Sequence, residues 1–519
     1  MGKIVIDPIT RIEGHLKVEV VVDGGEVKEA RCSGMLFRGF ERILEGRDPR
    51  DAQIITQRIC GVCNHCHATA AALCLDAAFG IADRIPHNGR LIRNLTLGFH
   101  QVQDHILHFY HLAALDYVDV TRVADYEGND RVLQSIKAFI GRGELAPFVP
   151  RYERDYRFRP EVDRELVLHY VKALEVRRKG HEAVAILGGK VPHACAIAPG
   201  GATEVPTVDK IATLLWRARE LREFVEDYYV PDVIRVAETY SDYFEIGRGC
   251  GRFLSYGEFD LEGGDPDYAS RARLFKQGST ATDLRHEPLD LGAITEYVKH
   301  SWYEEDTSGR HPFEEDTRPR PGKQGGYSWI KAPRYKGQVH EVGPLARVAV
   351  SYAAGDPAIR EMVDSVLGHF KASPEALFSV LGRHAARALC ALHIARNLER
   401  WVLELKPGEP AYVEHEIPEE GQGVGIVDAA RGALGHWILI RDSRIAKYQC
   451  VVPTTWNASP MDDMGNPGPI EQALIGTKVK DESNPFEIVR IVRSFDPCIA
   501  CAVHLLNHRG RELRRYVIA

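Results

Sequence analysis

Between residues 3 and 32 apolar and polar residues alternate in short runs, and Asp23-Gly24-Gly25 separates two of them. A period of two with a turn of this kind predicts a small N-terminal sheet. The pattern then becomes helical. Arg38-Gly-Phe-Glu-Arg-Ile-Leu begins an amphipathic helix, and the small apolar run from Ala68 to Ala78 reads as a buried one. Leu91 to Leu115 carries Asp104, His108, His111 and Leu115 at spacings of three and four, which puts them on one stripe of a long helix. Residues 165 to 187, 208 to 240 and 375 to 405 also read as long helices. Residues 241 to 345 are rich in Gly, Pro, charge and aromatics, and Asp265-Pro, Arg318-Pro-Arg-Pro and Gln324-Gly-Gly break any periodicity, so short strands and loops are expected there. Short strands return at Val424 to Val427, Trp437 to Arg441 and Tyr448 to Val452, with Arg431-Gly432 in the turn between the first two.

These patterns predict an α+β fold, predominantly α: a central bundle of long helices with a small N-terminal sheet and a mixed lobe. We read the chain as one domain over 1–519. Its parts are the sheet at 1–60, helical core at 61–240 and 350–410, mixed lobe at 241–349, C-terminal strands at 411–504 and an extension at 505–519.

Composition narrows the function by exclusion. The net charge of −7 is spread over 66 basic and 73 acidic residues, which leaves no electrostatic footprint for nucleic acid or an anionic membrane. No stretch reaches the roughly 20 apolar residues of a membrane span. Met-Gly-Lys-Ile-Val-Ile-Asp runs directly into a strand, so no signal peptide is read at the start. The 11 cysteines are odd in number, and several, such as Cys74, Cys195 and Cys390, lie in helical or apolar runs. That argues for metal ligands and buried thiols in a reducing compartment rather than a disulfide framework.

The candidate chemistry is concentrated near the two ends. Arg58-Ile-Cys60-Gly-Val-Cys63-Asn-His-Cys66-His67 and Asp496-Pro-Cys498-Ile-Ala-Cys501-Ala-Val-His504 each hold a Cys-x-x-Cys pair. Two such pairs supply four soft thiolates, which select zinc, iron, copper or nickel over magnesium or calcium. Spacing alone leaves structural zinc open, with a redox dithiol behind it for want of a βαβ pattern around either pair. Arg58, Asp496-Pro497, His67 and His504 are companions that structural zinc does not need.

With these companions the chain resembles the large subunit of nickel-iron hydrogenase, whose signatures are Arg-x-Cys-Gly-x-Cys-x-x-x-His and Asp-Pro-Cys-x-x-Cys-x-x-His. Further matches cover essentially the whole chain: Arg11-Ile-Glu13-Gly14-His15, Arg38-Gly39-Phe40-Glu41, His108-Phe-Tyr-His111, Pro192-His193, Pro199-Gly-Gly201, Arg431-Gly432 and Val452-Pro453-Thr454-Thr455-Trp456-Asn457. The last run looks like the respiratory uptake branch. The resemblance implies Cys60 and Cys498 terminal on nickel, Cys63 and Cys501 bridging nickel to iron, and cyanide and carbon monoxide on the iron beside Pro453 and Thr454. It implies Glu13 as a proton carrier beside a terminal sulfur, with Arg431 above the metals as donor and base and Asp104 pairing with an arginine over them. Asp496 belongs to the second signature, and His67 is expected to donate to a sulfur. Glu41, the backbone carbonyl of Cys450 and His504 would hold magnesium, a hard cation suited to oxygen.

Two features depart from the family. Cys66 falls between ligand and histidine and is expected to make no metal contact. Asp428-Ala-Ala430-Arg431 stands where the family has Glu-Ala-Pro-Arg, so the arginine's loop lacks a constraint.

Heterolytic cleavage of dihydrogen needs a Lewis acid for the electron pair and a base for the proton, and side chains alone do not supply the first. No ferredoxin-type cysteine set remains to carry electrons, so an iron-sulfur small subunit is implied as partner. The resemblance further implies a maturation chaperone, an endopeptidase that removes Leu505–Ala519 after His504, and a higher oligomer of heterodimers with only indirect membrane contact. The location is expected at the cytoplasm or the cytoplasmic membrane face, or in the periplasm if the small subunit exports the pair. The rival readings are a metal-free quinone-reductase subunit of the complex I type and a structural zinc protein.

Overall fold

A computed structural model describes residues 2–502 apart from 144, 146, 147, 150, 152, 264, 268 and 269. The N-terminal alternation becomes an antiparallel sheet of β1 (Gly2–Ile6), β2 (Leu16–Asp23) and β3 (Glu26–Gly34). The tight turn after Asp23 uses Gly24 and Gly25, both at positive φ. Helix α1 (Phe40–Leu44) comes next, and Glu41 in its first turn is buried, not solvent-facing.

Helix α2 (Asn64–Ala78) starts directly after Cys63 and is buried over nearly its whole length. Small residues all round let it lie close to other elements. The predicted helix from 91 to 115 begins earlier, as α3 (His87–Ile106), and then widens into a π-helical segment, Leu107–Ala113. The wider turn shifts the phase of every later side chain on this stretch, so the expected stripe is split. Asp104 faces Arg431, the His108 ring lies 2.7 Å from the Arg493 carbonyl, and His111 reaches Tyr170. Leu115 joins a separate small core with Val118, Leu133 and Leu166.

The other predicted helices appear as α4 (Pro160–Gly188), α5 (Val208–Phe224), α6 (Val230–Thr239) after a second π-helical segment, and α8 (Val380–Glu404). Helices α3, α4, α5 and α8 pack on one another as the central bundle. The mixed lobe is built on the hairpin β4 (Arg252–Asp260) and β5 (Arg273–Ala281), against which α7 (Pro344–Ala353) packs. The last sheet is a meander of β6 (Gly421–Ala429), β7 (Gly432–Arg441) and β8 (Arg444–Val451), and Arg431 sits in its first turn as expected. Short helices close the described chain, among them α9 (Pro453–Asn457), α10 (Phe486–Ser494) and α11 (Ile499–Ala502).

Helix α2 lies directly on β6, and the contact depends on glycine. A Cβ at Gly425 would stand 2.0 Å from the Ala70 carbonyl oxygen and 2.4 Å from the Cys74 nitrogen. Both are backbone atoms that cannot turn away. Gly425→Ala is therefore expected to destabilise the chain by about 3 kcal/mol or more, read as a lowered unfolding midpoint in calorimetry.

Candidate metal centre

The two Cys-x-x-Cys pairs meet although 438 positions separate Cys60 from Cys498. What joins them is the segment after β1. Glu13 forms a parallel bridge with Cys498, and its carbonyl accepts the Ile499 amide at 2.8 Å. Gly14, at φ 80°, allows this approach, because a Cβ there would lie 2.8 Å from the Ala500 nitrogen. Arg38 donates to the carbonyls of Ile59 and, at 2.6 Å, of Ala500, so one guanidinium ties both cysteine loops together. Sequence reasoning gave Arg38 no role; its place beside Gly39, Phe40 and Glu41 in a family motif was the available signal.

The four sulfurs of Cys60, Cys63, Cys498 and Cys501 lie within 4.8 Å of one another, all buried. Cys63 and Cys501 are 2.9 Å apart, Cys498 and Cys501 3.0 Å, and Cys60 and Cys498 3.4 Å. Hydrogen bonds from Cys498, Cys501 and Cys63 pull the Cys60 thiol well below its usual range, whereas burial pushes Cys498 and Cys501 well above theirs. The protein alone thus favours one thiolate among thiols. A soft divalent cation changes that balance, since coordination deprotonates a thiol outright. The donor set fits such a metal.

Around the sulfurs is a small cavity whose walls include Cys66, His67, Ala429, Arg431, Pro453 and Thr454. The Thr454 hydroxyl accepts the Cys498 amide at 2.9 Å and so keeps its own proton to donate. The ring of His67 has Nδ1 3.1 Å from Nε2 of His436, whose Nδ1 is 2.7 Å from the Tyr448 hydroxyl. His436 and Tyr448 were not anticipated.

Two charged groups face the sulfurs. Glu13 Oε2 is 3.2 Å from the Cys498 sulfur and accepts the Ala500 amide at 2.9 Å. Burial, helped by the charge of Cys60, raises its carboxyl above the usual range. Arg431 forms a fork with Asp104 at 2.9 and 3.2 Å and stands 3.1 Å from Asp496. Burial opposes the charge on Arg431, but the two carboxylates outweigh it and hold the guanidinium charged. The missing proline leaves no slack in this loop, because Gly432, at φ 115°, packs against Gly343 so closely that a Cβ would stand 2.2 Å from its nitrogen.

A family model described as nickel-dependent hydrogenase matches residues 38–504, and one described as HoxL-like matches 3–33. This chain belongs to the nickel-dependent hydrogenase family. The periplasmic [NiFeSe] hydrogenase large subunit of Desulfomicrobium baculatum is 43% identical, over 98% of this chain and 96% of its own length. The uptake hydrogenase large subunit of Bradyrhizobium diazoefficiens is 38% identical, over 99% and 97%. The reduced Ni-Fe-Se hydrogenase of D. vulgaris Hildenborough superposes with a TM-score of 0.85 at 43% identity, covering 97% of this chain and 100% of that one.

Our chain is accordingly a hydrogenase large subunit, Cys60, Cys63, Cys498 and Cys501 are its active-site cysteines, and its partner is a small subunit. Several relatives carry selenium in their names, whereas here all four positions are cysteine. Glu41 and Cys450 lie apart from the sulfurs in a buried polar cluster: Thr317 donates to Glu41 at 2.7 Å, and the Cys450 amide is 3.4 Å from Glu41. Lys331 and Glu315, which sequence reasoning passed over, join this cluster. His504 and the extension lie outside the described residues.

Replacing any one of the four cysteines by serine puts a hard oxygen in place of a soft thiolate. Nickel and iron, measured by elemental analysis of the purified heterodimer, should fall sharply in each variant. Cys66→Ser should keep both metals and most activity.

Proposed function

We propose that this large subunit oxidises dihydrogen to two protons and two electrons, as the catalytic half of a respiratory uptake hydrogenase. The observation that carries the reading is the set of four buried sulfurs with a carboxylate 3.2 Å from one of them and a clamped guanidinium beside them. When bound, a nickel-iron pair with cyanide and carbon monoxide on iron supplies the Lewis acid that polarises dihydrogen.

The chain's own residues do the remainder. The sulfurs of Cys60, Cys63, Cys498 and Cys501 would hold that pair as thiolates. The Cys498 sulfur receives a proton and Glu13 Oε2 takes it, a short transfer that the raised carboxyl pKa favours. Arg431, fixed by Asp104 and Asp496, presents its cationic edge to the cavity and orients the reacting molecule. Pro453 and Thr454 shape the iron side, where the threonine proton meets an acceptor. Electrons leave through iron-sulfur clusters on the small subunit.

Magnesium suits the buried Glu41, with the Cys450 carbonyl and His504 completing its protein ligands. The segment after His504 is read as a maturation extension removed by an endopeptidase once a chaperone has released the metal-loaded chain, after which heterodimers assemble further. Among the described residues no helix is long and apolar enough to cross a membrane. The location we propose is the cytoplasm or the cytoplasmic membrane face; the D. baculatum relative is named periplasmic, which supports export with the small subunit as the second reading.

Elemental analysis separates this function from its rivals: nickel and iron near stoichiometric are expected, and zinc alone would overturn the reading. Arg431→Lys should keep both metals and lose about two orders of magnitude or more in turnover, while Glu13→Gln should slow hydrogen-deuterium exchange without disturbing assembly. Intact-mass analysis of active enzyme should end at His504, and a mass running to Ala519 in enzyme that oxidises hydrogen contradicts the maturation step.

A further inference from the structure

A second space lies behind the metal cavity. It is a narrow cleft whose lining includes Thr69, Arg90, Asn94 and Glu258, and it reaches half-exposed and exposed residues at Arg90 and Glu262. Two elements, α2 and β6, line both spaces, and α3 runs along the seam between them. On α3, Arg90, Asn94 and Leu97 line the cleft, and at the same helical spacing Gln101 donates to Glu258 and Asp104 pairs with Arg431 of the metal cavity. On α2, Thr69 and Leu73 face the cleft, and Cys66, one turn earlier, faces the metal cavity. On β6, Val427 borders the cleft and Ala429, two residues on and therefore on the same strand face, borders the cavity.

Glu258 of β4 stands at the junction. The residue is 1% exposed, its Oε2 accepts from Gln101 at 2.8 Å and lies 3.3 Å from the Arg347 guanidinium, and among the described residues its Oε1 has no hydrogen-bond partner. A buried carboxyl oxygen left bare is costly unless water or a proton satisfies it. Glu258 does not line the cysteine cavity itself, but its charge is felt by Cys66, which does.

We propose that Glu258 is the relay of a second proton route, running from the metal cavity along this seam to the outer cleft and independent of Glu13. The proposal rests on hydrogen oxidation being the reaction of this chain. Each passage balances simply: hydronium in the cavity gives its proton to Glu258 Oε1 and becomes water, the carboxyl gives a proton to water in the cleft, and the carboxylate is restored with no electron moved. The groups facing Glu258 are Arg347 of α7, Asp428 of β6, Arg273 of β5, the thiol of Cys66 on α2 and the neutral Gln101 of α3. Burial outweighs Arg347 and Arg273 and pushes the carboxyl up to about 8, so it exchanges its proton near neutral pH. Glu13 serves the Cys498 side of the site, whereas this seam serves the side of Cys66 and Asp104.

The test uses the assembled heterodimer carrying Glu258→Gln or Glu258→Asp, with metals quantified and hydrogen oxidation measured against pH in H₂O and D₂O. With both metals retained, Glu258→Gln should lose about tenfold or more in turnover and show an enlarged solvent isotope effect. Glu258→Asp should recover part of the rate, with its pH profile moved downward. A purely structural residue would lower metal content or stability and leave the isotope effect alone. Metal-replete Glu258→Gln with the wild-type rate and isotope effect overturns the relay. Should that variant fail to assemble, a wild-type pH profile in Glu258→Asp overturns it equally. A wild-type heterodimer with both metals and no hydrogen oxidation would instead count against the proposed function.

Discussion

Four cysteine sulfurs held within 4.8 Å in a buried place form the constraint on which the rest of this chain depends. Left to itself the protein cannot ionise them together, because each further thiolate in a low-dielectric site is repelled by the last. The arrangement makes sense as a preformed cage for a soft metal pair. It is costly to assemble, and the chain meets that cost with backbone rather than with more sulfur. Glu13 pairs with the Cys498 loop, Arg38 bonds carbonyls from both loops, and Gly14 lets the two main chains touch.

A second layer of the design keeps charge near the metals without leaving it bare. Arg431 is almost wholly buried, and two carboxylates from distant segments face it, Asp104 at 2.9 Å and Asp496 at 3.1 Å. Removing the guanidinium would leave two buried carboxylates without their shared counter-charge, the kind of change that costs several kcal/mol. The same pairing aims the guanidinium, so the charge balance of the core and the geometry of the active site are one arrangement. Glu13, with a single sulfur and one amide as partners and burial raising its pKa, is left freer to exchange a proton.

Much of this was legible in the chain. The motifs named the four cysteines, Glu13, Arg431, Asp104 and Asp496, and the structure gathers the four sulfurs, sets Glu13 against Cys498 and sets both aspartates against Arg431. Periodicity located the N-terminal hairpin, the long helices and the C-terminal meander, because apolar period is set by element geometry and survives in any context. The interrupted helix after Ile106 was not legible: a π-helical turn leaves the same i, i+4 pattern in sequence and shows only as a change of phase in space.

Residue identity and local spacing determined which groups can bind a soft metal, and that two loops far apart in the chain hold them. Only the tertiary structure decided which surroundings those groups receive. His436, Tyr448, Gln101 and Glu258 carry no local signal, since a lone polar residue in a strand or helix reads as a surface group. Each acquires its role from burial beside a partner distant in the chain or across a sheet, as when Gln101 of one helix meets Glu258 of a strand. Desolvation and pairing are properties of the packed interior, and the order of residues along the chain does not contain them.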